Sequence, residues 1–159
     1  MPTEGRKKIL FVVDDAAFFE SYLLRLAQEA IERGFERVVA FGAAREQGAL
    51  RGIGIRTRSF DFSMSGWSPL RNMNAFLALL RLYRAEVRDI VHHVTLKQVI
   101  YGTLAARFAR VPAVVNAIPG TGSVFTQPKL AGRATCGLVN LLYLIVLSHD
   151  NMRFMFQNR

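Results

Sequence analysis

The stretch DIVHHVTLKQVIYG, Asp89–Gly102, and the stretch VPAVVNAIPGTGSVF, Val111–Phe125, decide the fold of this chain. Each begins with a short run of β-branched and apolar residues, which is typical of a strand buried in a parallel sheet. Each run ends in a polar cluster, with Thr95 and Lys97 after the first and Gly120–Ser123 after the second. In open α/β sheets, ligands bind outside the carboxyl ends of the strands. The two clusters therefore predict the position of the functional site.

Strand and helix signals alternate along the rest of the chain. We predict strands at Lys8–Val13, Arg37–Phe41, Gly54–Phe60, Ile90–Val94, Ala113–Ala117 and Met152–Gln157. We predict helices at about Ala17–Arg33, Pro69–Val87, Lys97–Arg110 and Lys129–Leu147. Parallel strands need helical crossovers, so this order predicts an α/β fold with a three-layer, Rossmann-like, doubly wound and mostly parallel sheet. No linker or repeat divides the chain, and residues 1–159 are expected to form a single domain.

Two of the predicted helices carry apolar stripes. The stripe of the first helix consists of Phe19, Leu23, Leu26, Ala27, Ala30 and Ile31, and Gly34 is a natural residue to end that helix. The stripe of the second consists of Met73, Phe76, Leu77, Leu80 and Tyr83, flanked by Arg81, Arg84 and Arg88. This second arrangement fits a helix that lies on an anionic membrane. It equally fits a helix that packs on the sheet and exposes a basic flank.

The amino-acid composition restricts the kinds of binding partner that are expected for this chain. The chain of 159 residues has a formal net charge of +9, which favours an anionic partner such as a phosphorylated ligand or an anionic membrane. Nucleic acid is not expected, because the arginines are dispersed and no nucleic-acid-binding motif is present. The one cysteine, Cys136, excludes a disulfide framework. Without a secretory signal or an apolar run long enough to cross a bilayer, we expect a cytoplasmic protein.

The adjacent histidines His92 and His93 send their side chains to opposite faces of a strand. His93 has the parity of Thr95, so we expect His93 to face the cleft as a general base or hydrogen-bond partner. A packed, structural histidine is the alternative. No carboxylate or cysteine has the spacing that would complete a metal site with the pair. We therefore expect neither a metal nor a cofactor.

The two polar clusters are candidates for phosphate binding. Thr95 and Lys97 begin a predicted helix, whose N–H groups and dipole attract anions, although a helix cap and a solvated lysine are the plainer interpretation. Gly120, Thr121, Gly122 and Ser123 offer N–H groups and hydroxyls that can cradle a phosphate, although a simple turn explains them equally well.

Two further polar residues are predicted at the ends of strands. Asn116 comes shortly before the glycine cluster, and its position adds weight to phosphate binding there. Asp14 follows the first strand, next to Asp15. Carboxylates at that place either contact a ligand or cap the following helix, and the sequence leaves both interpretations open.

Three stretches together resemble the N-terminal half of bacterial family 4 glycosyltransferases: KILFVVDDAAFF, then DIVHHVTLKQVIYGTLAARFARVPAVVNAIPGTGSVFT, then FQN. The resemblance runs from Lys8 to Asn158, and its most specific parts are the His-His-Val-Thr-x-Lys and Gly-x-Gly segments. It implies a GT-B enzyme, in which two Rossmann-like domains face each other across a cleft. The N-terminal domain then takes the acceptor, and the C-terminal domain holds most of the nucleotide sugar.

The resemblance also implies a reaction and a set of roles. The reaction is metal-independent, retaining transfer of a sugar to an undecaprenyl-diphosphate-linked or surface-polysaccharide acceptor, such as one for lipopolysaccharide, at the inner face of the plasma membrane. Lys97 and Gly120–Ser123, with Thr95 and Asn116 nearby, would hold the acceptor diphosphate. His93 or Asp14 would orient the acceptor hydroxyl.

The chain departs from the family pattern at two places. It stops at Arg159, before the donor-binding half, so we expect it to transfer no sugar without a second domain. Tyr22 and Leu23 stand where many relatives carry a His-Arg pair. Two other functions stay open. One is a non-catalytic subunit that recruits a separate catalytic subunit to the membrane, and the other is an unrelated, flavodoxin-like nucleotide-binding domain.

Overall fold

The structure, a computed structural model, describes residues 7–13, 16–41, 55–59, 69–86, 89–118 and 151–156. The strands of the described residues are β1 (Lys8–Val13), β2 (Glu36–Phe41), β3 (Arg56–Ser59), β4 (Ile90–Val94), β5 (Ala113–Ile118) and β6 (Met152–Phe156). Helix α1 consists of Ala16–Phe18, a π-helical turn Phe19–Leu23 and Leu24–Glu32. Helices α2 and α3 span Pro69–Glu86 and Leu96–Ala109. The helix predicted at Lys129–Leu147 lies outside the described residues.

The strands form one sheet of six parallel strands in the order β3-β2-β1-β4-β5-β6. The chain runs outward from β1 to β3 and then returns to place β4 on the other side of β1. The gap between the carboxyl ends of β1 and β4 is therefore the topological switch point, where ligands bind in sheets of this kind. The predicted doubly wound α/β fold is confirmed.

Helices cover both faces of the sheet. Leu10 and Val12 of β1 belong to a core with Ala75 and Leu79 of α2 and Ala105 of α3. Side chains alternate along a strand, so the intervening residues of β1 face the other way. That face packs against α1, through a core that includes Phe11, Val13, Phe19 and Leu23. The predicted three layers follow from this alternation.

The apolar stripe of α1 is narrower than predicted. Phe19, Leu23, Ala27 and Ala30 are buried, whereas Leu26 and Ile31 are partly exposed. The buried residues are three or four positions apart and so share one face of the helix. Leu26 and Ile31 are each one position from a buried alanine, which turns them about 100° away from the sheet.

Glycine ends α1 as predicted. Gly34 has φ +84°, a conformation that a residue without Cβ adopts at little cost. Its N–H donates to the carbonyl of Ile31 at 2.7 Å, and the N–H of Phe35 donates to the carbonyl of Ala30 at 2.9 Å. These bonds satisfy carbonyl groups at the end of the helix and direct the chain into β2.

His92 lies on the α1 face of β4, in a cross-strand row between Phe11 and Val115. Its ring packs against that of Phe11, with centroids 5.5 Å apart, and the residue is 4% exposed. Among the described residues, neither ring nitrogen has a hydrogen-bond partner of normal geometry. Burial lowers the pKa of His92 to about 4, and an interaction with its own backbone offsets only part of that effect. His92 is therefore a neutral core residue at physiological pH.

We predict that His92 makes the fold sensitive to acid. Because the pKa of His92 is lower in the folded than in the unfolded chain, its neutral form contributes stability above pH 6.5 that is lost as the pH falls toward 4. The total is about 3 kcal/mol. Replacement of His92 by Leu should remove about 2 kcal/mol of the decrease in unfolding free energy between pH 7 and pH 5. Urea unfolding at both pH values measures the difference.

His92→Gln serves as the control, because it removes the titration but keeps a buried polar side chain. It should flatten the pH dependence as His92→Leu does, while lowering stability at pH 7. An unchanged pH dependence in both variants would show that another group is responsible for the acid sensitivity.

Candidate functional site

A single residue, Thr95, makes the turn between β4 and α3 at the switch point. Its backbone has φ 99° and ψ 145°, a conformation that glycine adopts readily and β-branched residues avoid. The Thr95 hydroxyl oxygen is buried without a hydrogen-bond partner among the described residues, and it does not cap α3. Strain of this kind costs about 1–3 kcal/mol and occurs preferentially at functional sites.

Gln98 fixes the other side of this turn. Its side-chain oxygen accepts a hydrogen bond from the N–H of Val94 at 3.3 Å, and the side chain is fully buried. The first turn of α3, in which Lys97 is the second residue, therefore begins directly at the carboxyl edge of the sheet. Helix N-termini at such an edge attract anions through their N–H groups and dipole. The structure places Thr95 and Lys97 at this helix start, and phosphate binding by them stays a prediction.

His93 and Asn116 lie inside the protein rather than at its edge. Both are fully buried and belong to a hydrogen-bonded network that we call the polar network: Tyr83, His93, Asn116 and Thr103. The Tyr83 hydroxyl lies 2.8 Å from His93 Nε2, and His93 Nδ1 lies 2.8 Å from Asn116 Oδ1. Asn116 Nδ2 donates to the Thr103 hydroxyl at 3.0 Å and to Met152 Sδ at 3.0 Å. The network connects α2, β4, β5 and α3.

The hydrogen-bond partners in the polar network indicate which side-chain atoms are donors and which are acceptors. Asn116 Nδ2 faces a sulfur atom, which accepts and does not donate, so Oδ1 is the atom that faces His93. His93 Nδ1 must then donate to Oδ1, and Nε2 lies within hydrogen-bond distance of the Tyr83 hydroxyl. Burial raises the pKa of Tyr83 well above its ordinary value, which keeps that hydroxyl protonated. The neutral tautomer of His93 that carries its proton on Nδ1 is compatible with both contacts.

Gly102 of α3 makes room for the polar network. A Cβ on this residue would overlap the imidazole ring of His93. The glycine therefore lets α3 approach the sheet closely, at the His93 ring. A larger residue at position 102 would push the helix away from the sheet or displace the ring.

The expectation that His93 faces the cleft is wrong in this structure, and Asn116 does not end its strand. Because β5 continues to Ile118, Asn116 lies within the strand, on the same face of the sheet as His93. Tyr83 fills the space in front of that face. Tyr83, which belongs to the predicted apolar stripe of α2, is therefore buried. The exposed residues of that helix include Met73, Arg81 and Arg84.

The remaining predicted site residues lie outside the described residues: Asp14, Gly120, Thr121, Gly122, Ser123 and Arg88. Sequence reasoning did not find Tyr83 and Thr103 as partners of His93. The available signal was a polar residue within each of two apolar strands, because a buried polar side chain needs a hydrogen-bond partner from a neighbouring element. In the described part of the chain, no group of three or more His, Cys, Asp or Glu side chains is arranged to hold a metal ion.

The chain is similar in fold to several solved structures, at low sequence identity. MurG from Acinetobacter baumannii matches with a TM-score of 0.58 and 15% identity over 96% of this chain and 46% of that one. A putative UDP-N-acetylglucosamine 2-epimerase from Listeria monocytogenes matches with a TM-score of 0.57 and 15% identity over 92% and 42%. HepE (Alr3699) from Anabaena, in complex with UDP-glucose, matches with a TM-score of 0.54 and 16% identity over 96% and 44%. The chain spans less than half the length of each of these proteins.

The sequence family described as glycosyl transferase 4-like matches residues 8–149. No curated protein matches the chain. MurG and HepE are GT-B glycosyltransferases, in agreement with the predicted fold of one half of a GT-B enzyme. The family match extends over most of the chain and includes β1, β4 and the Thr95 turn between β4 and α3. The chain therefore belongs to the glycosyl transferase 4-like family.

Proposed function

We propose that this chain is the acceptor-binding domain of a retaining glycosyltransferase that moves a sugar from a nucleotide sugar to a lipid-diphosphate-linked or surface-polysaccharide acceptor. The observation that carries the proposal is the family match across a switch point whose central turn, at Thr95, is strained. The fold alone does not select transfer, since the Listeria epimerase shares it. The UDP-glucose bound to HepE supports a nucleotide-sugar donor for enzymes of this architecture.

In this proposal, the acceptor diphosphate binds at the start of α3. Lys97 supplies a positive charge, and the first N–H groups of α3 supply donors without bulk. The buried Thr95 hydroxyl has no partner among the described residues, and a phosphate oxygen would give it one. An unmade hydrogen bond at a buried polar atom costs about 1–3 kcal/mol, so a ligand that makes this bond recovers that free energy. The glycine cluster Gly120–Ser123 follows the neighbouring strand β5 in the sequence and is proposed to hold the diphosphate together with Lys97.

Asp14 and His93 have different proposed roles. Asp14 directly follows β1 in the sequence, and β1 pairs with β4, so Asp14 is proposed to orient the acceptor hydroxyl. His93 is proposed to position the site rather than to contact the acceptor, because the polar network holds β4 in place below the Thr95 turn. The donor sugar belongs to a second Rossmann-like domain, and the chain by itself is proposed to transfer nothing.

A membrane surface on α2 and α3 is the second part of the proposal. Three apolar side chains are exposed to solvent on this surface: Met73 (57% exposed), Leu77 and Phe108 (59% exposed). Phe108 contacts Phe76 edge-on, with ring centroids 5.9 Å apart, so the surface extends across both helices. The exposed Arg81 and Arg84 lie on α2 and, within the described residues, belong to no ion pair.

Apolar side chains beside arginines favour the inner, anionic face of the plasma membrane, where lipid-linked acceptors are carried. No helix in the described part of the chain is long and apolar enough to cross a bilayer. The same surface supports the alternative function of a non-catalytic recruitment subunit. Binding of a diphosphate by the chain separates the two, because recruitment requires only the membrane surface.

We predict that Lys97 is required for diphosphate binding. Lys97→Ala should weaken the binding of farnesyl diphosphate, a soluble probe for the lipid diphosphate, by about ten- to a hundredfold in calorimetric titration. A charge-assisted contact worth about 1.5–3 kcal/mol is lost. The matched control is Lys7→Ala, which removes an exposed lysine next to the amino end of β1 and should change nothing. Equal affinity of the parent and Lys97→Ala would leave Lys97 as a solvated helix residue.

We predict that Arg81 and Arg84 attract the domain to anionic membranes. Each basic residue near such a surface contributes about 1 kcal/mol, so replacing both with Gln should weaken binding to phosphatidylglycerol vesicles by about thirtyfold. The control is the double change of Arg25 and Arg153 to Gln, which removes the same charge from exposed positions on α1 and β6. If both double variants sediment equally with the vesicles, net charge alone accounts for binding and the proposed surface is wrong.

A further inference from the structure

We propose that Phe18, directly before the π-helical turn of α1, and Tyr22, within that turn, form a platform that binds a pyranose ring of the acceptor. This inference rests on the proposed function, because it assigns the sugar part of the same acceptor. No charged group is needed for the platform. Four features of the molecule support the platform: the shape of the turn, the stacking of the two rings, the exposure of Tyr22 and the position of α1.

The π-helical turn is fixed from beneath. Phe19 and Leu23, at its two ends, are 0% and 4% exposed and pack in the core between α1 and the sheet. Phe19 contacts Phe11 and Phe41 edge-on, with ring centroids 5.7 Å and 6.4 Å away. These contacts hold the turn in place, so the residues on its outer side are presented on a rigid support.

The two outer rings are stacked on each other. The ring centroids of Phe18 and Tyr22 are 4.7 Å apart, and their planes differ by 23°. Tyr22 is nevertheless 60% exposed, which is unusual for a large aromatic residue next to a core. One face of its ring is covered by Phe18, and the exposure leaves the rest of the ring in contact with solvent. The stack limits the rotation of the Tyr22 side chain and lowers the entropy lost when a ligand packs on it.

The position of the platform connects it to the Thr95 turn. Helix α1 follows β1, so its first turns lie at the carboxyl edge of the sheet, on the β1 side of the switch point. Thr95 ends β4 on the other side of the same point, and β1 and β4 are directly paired. π-helical turns are rare and occur frequently at functional sites. Helices α1 and α3 lie on opposite faces of the sheet, so the proposed acceptor crosses the carboxyl edge, with its diphosphate at α3 and its sugar at Tyr22.

The chemistry of Tyr22 fits a pyranose. A pyranose ring has faces of C–H groups, which are weakly positive, and a rim of hydroxyl groups. The face of an aromatic ring is negative and attracts such C–H groups, while the phenol hydroxyl of Tyr22 can bond a sugar hydroxyl. A nucleobase would also stack on an aromatic ring, but in the proposed enzyme the nucleotide belongs to the second domain. Binding of a base is therefore an outcome that the experiment must separate.

The experiment measures the binding of methyl β-D-glucopyranoside and methyl β-D-galactopyranoside to the chain by NMR, through shifts of the tyrosine ring resonances and saturation transfer to the sugar. Binding of at least one of the two is expected to be weakened about three- to tenfold by Tyr22→Ala, because the stacking surface is lost. Tyr22→Phe keeps the ring and should retain most of the affinity. The matched control is Ile31→Ala, which removes an exposed apolar side chain from the other end of the same helix and should have no effect.

Three results would overturn the platform: no binding of either pyranoside, equal binding by Tyr22→Ala and the parent, or a response of Tyr22 to uridine but not to the pyranosides. The affinity of farnesyl diphosphate, measured in the same variants, keeps this failure distinct from a failure of the proposed function. If Tyr22→Ala leaves the pyranoside affinity unchanged while the parent still binds the diphosphate, the platform is wrong and the acceptor-binding function stands. If the diphosphate does not bind the parent, the function fails as well.

Discussion

The strained turn at Thr95 is the constraint on which the site depends. Only one residue connects β4 with α3, so α3 has to begin at the edge of the sheet, with the helix start at the switch point. A longer connection would relax the backbone and let the helix start retreat from that edge. The turn persists because its surroundings fix it: Gln98 bonds the backbone before it, and the polar network holds the strand beneath it. Strain of about 1–3 kcal/mol is small compared with the packing that opposes its release.

The polar network explains why two polar side chains occupy the middle of an apolar sheet. His93 and Asn116 are buried on neighbouring strands and satisfy each other, and Tyr83 and Thr103 complete their hydrogen bonds from the helices above. A partly satisfied network would be costly, so the four residues specify one position of α2 and α3 over β4 and β5. Gly102 supports the same position, because it lets α3 approach the His93 ring. The geometry of the helix start is therefore determined from inside the core.

Much of the fold was predictable from local patterns, because buried parallel strands are short runs of β-branched residues with polar ends. The bounds of β1 and β4 were predicted as observed, and the connection by helices required parallel pairing. The end of α1 followed from Gly34, since the conformation of that residue favours glycine. The site was less predictable. His93 was expected to face the cleft because it shares the alternation of Thr95, but the strand ends before Thr95. Its true partner is Tyr83, which belongs to a helix whose apolar stripe also fitted a membrane surface. The strain at Thr95 has no sequence signal, because threonine normally avoids that conformation.

The most direct test of the central claim, that the Thr95 turn is strained to bind an acceptor diphosphate, compares Thr95→Gly with Arg110→Gly. Among the described residues, Thr95 and Arg110 are the two non-glycine residues with positive φ, and they lie at opposite ends of α3. Both variants relieve backbone strain and should raise the free energy of unfolding, by about 1 kcal/mol each. Only Thr95→Gly removes the hydroxyl at the switch point, so only that variant should lose affinity for farnesyl diphosphate. A Thr95→Gly variant that is more stable and binds the diphosphate as tightly as the parent would contradict the account.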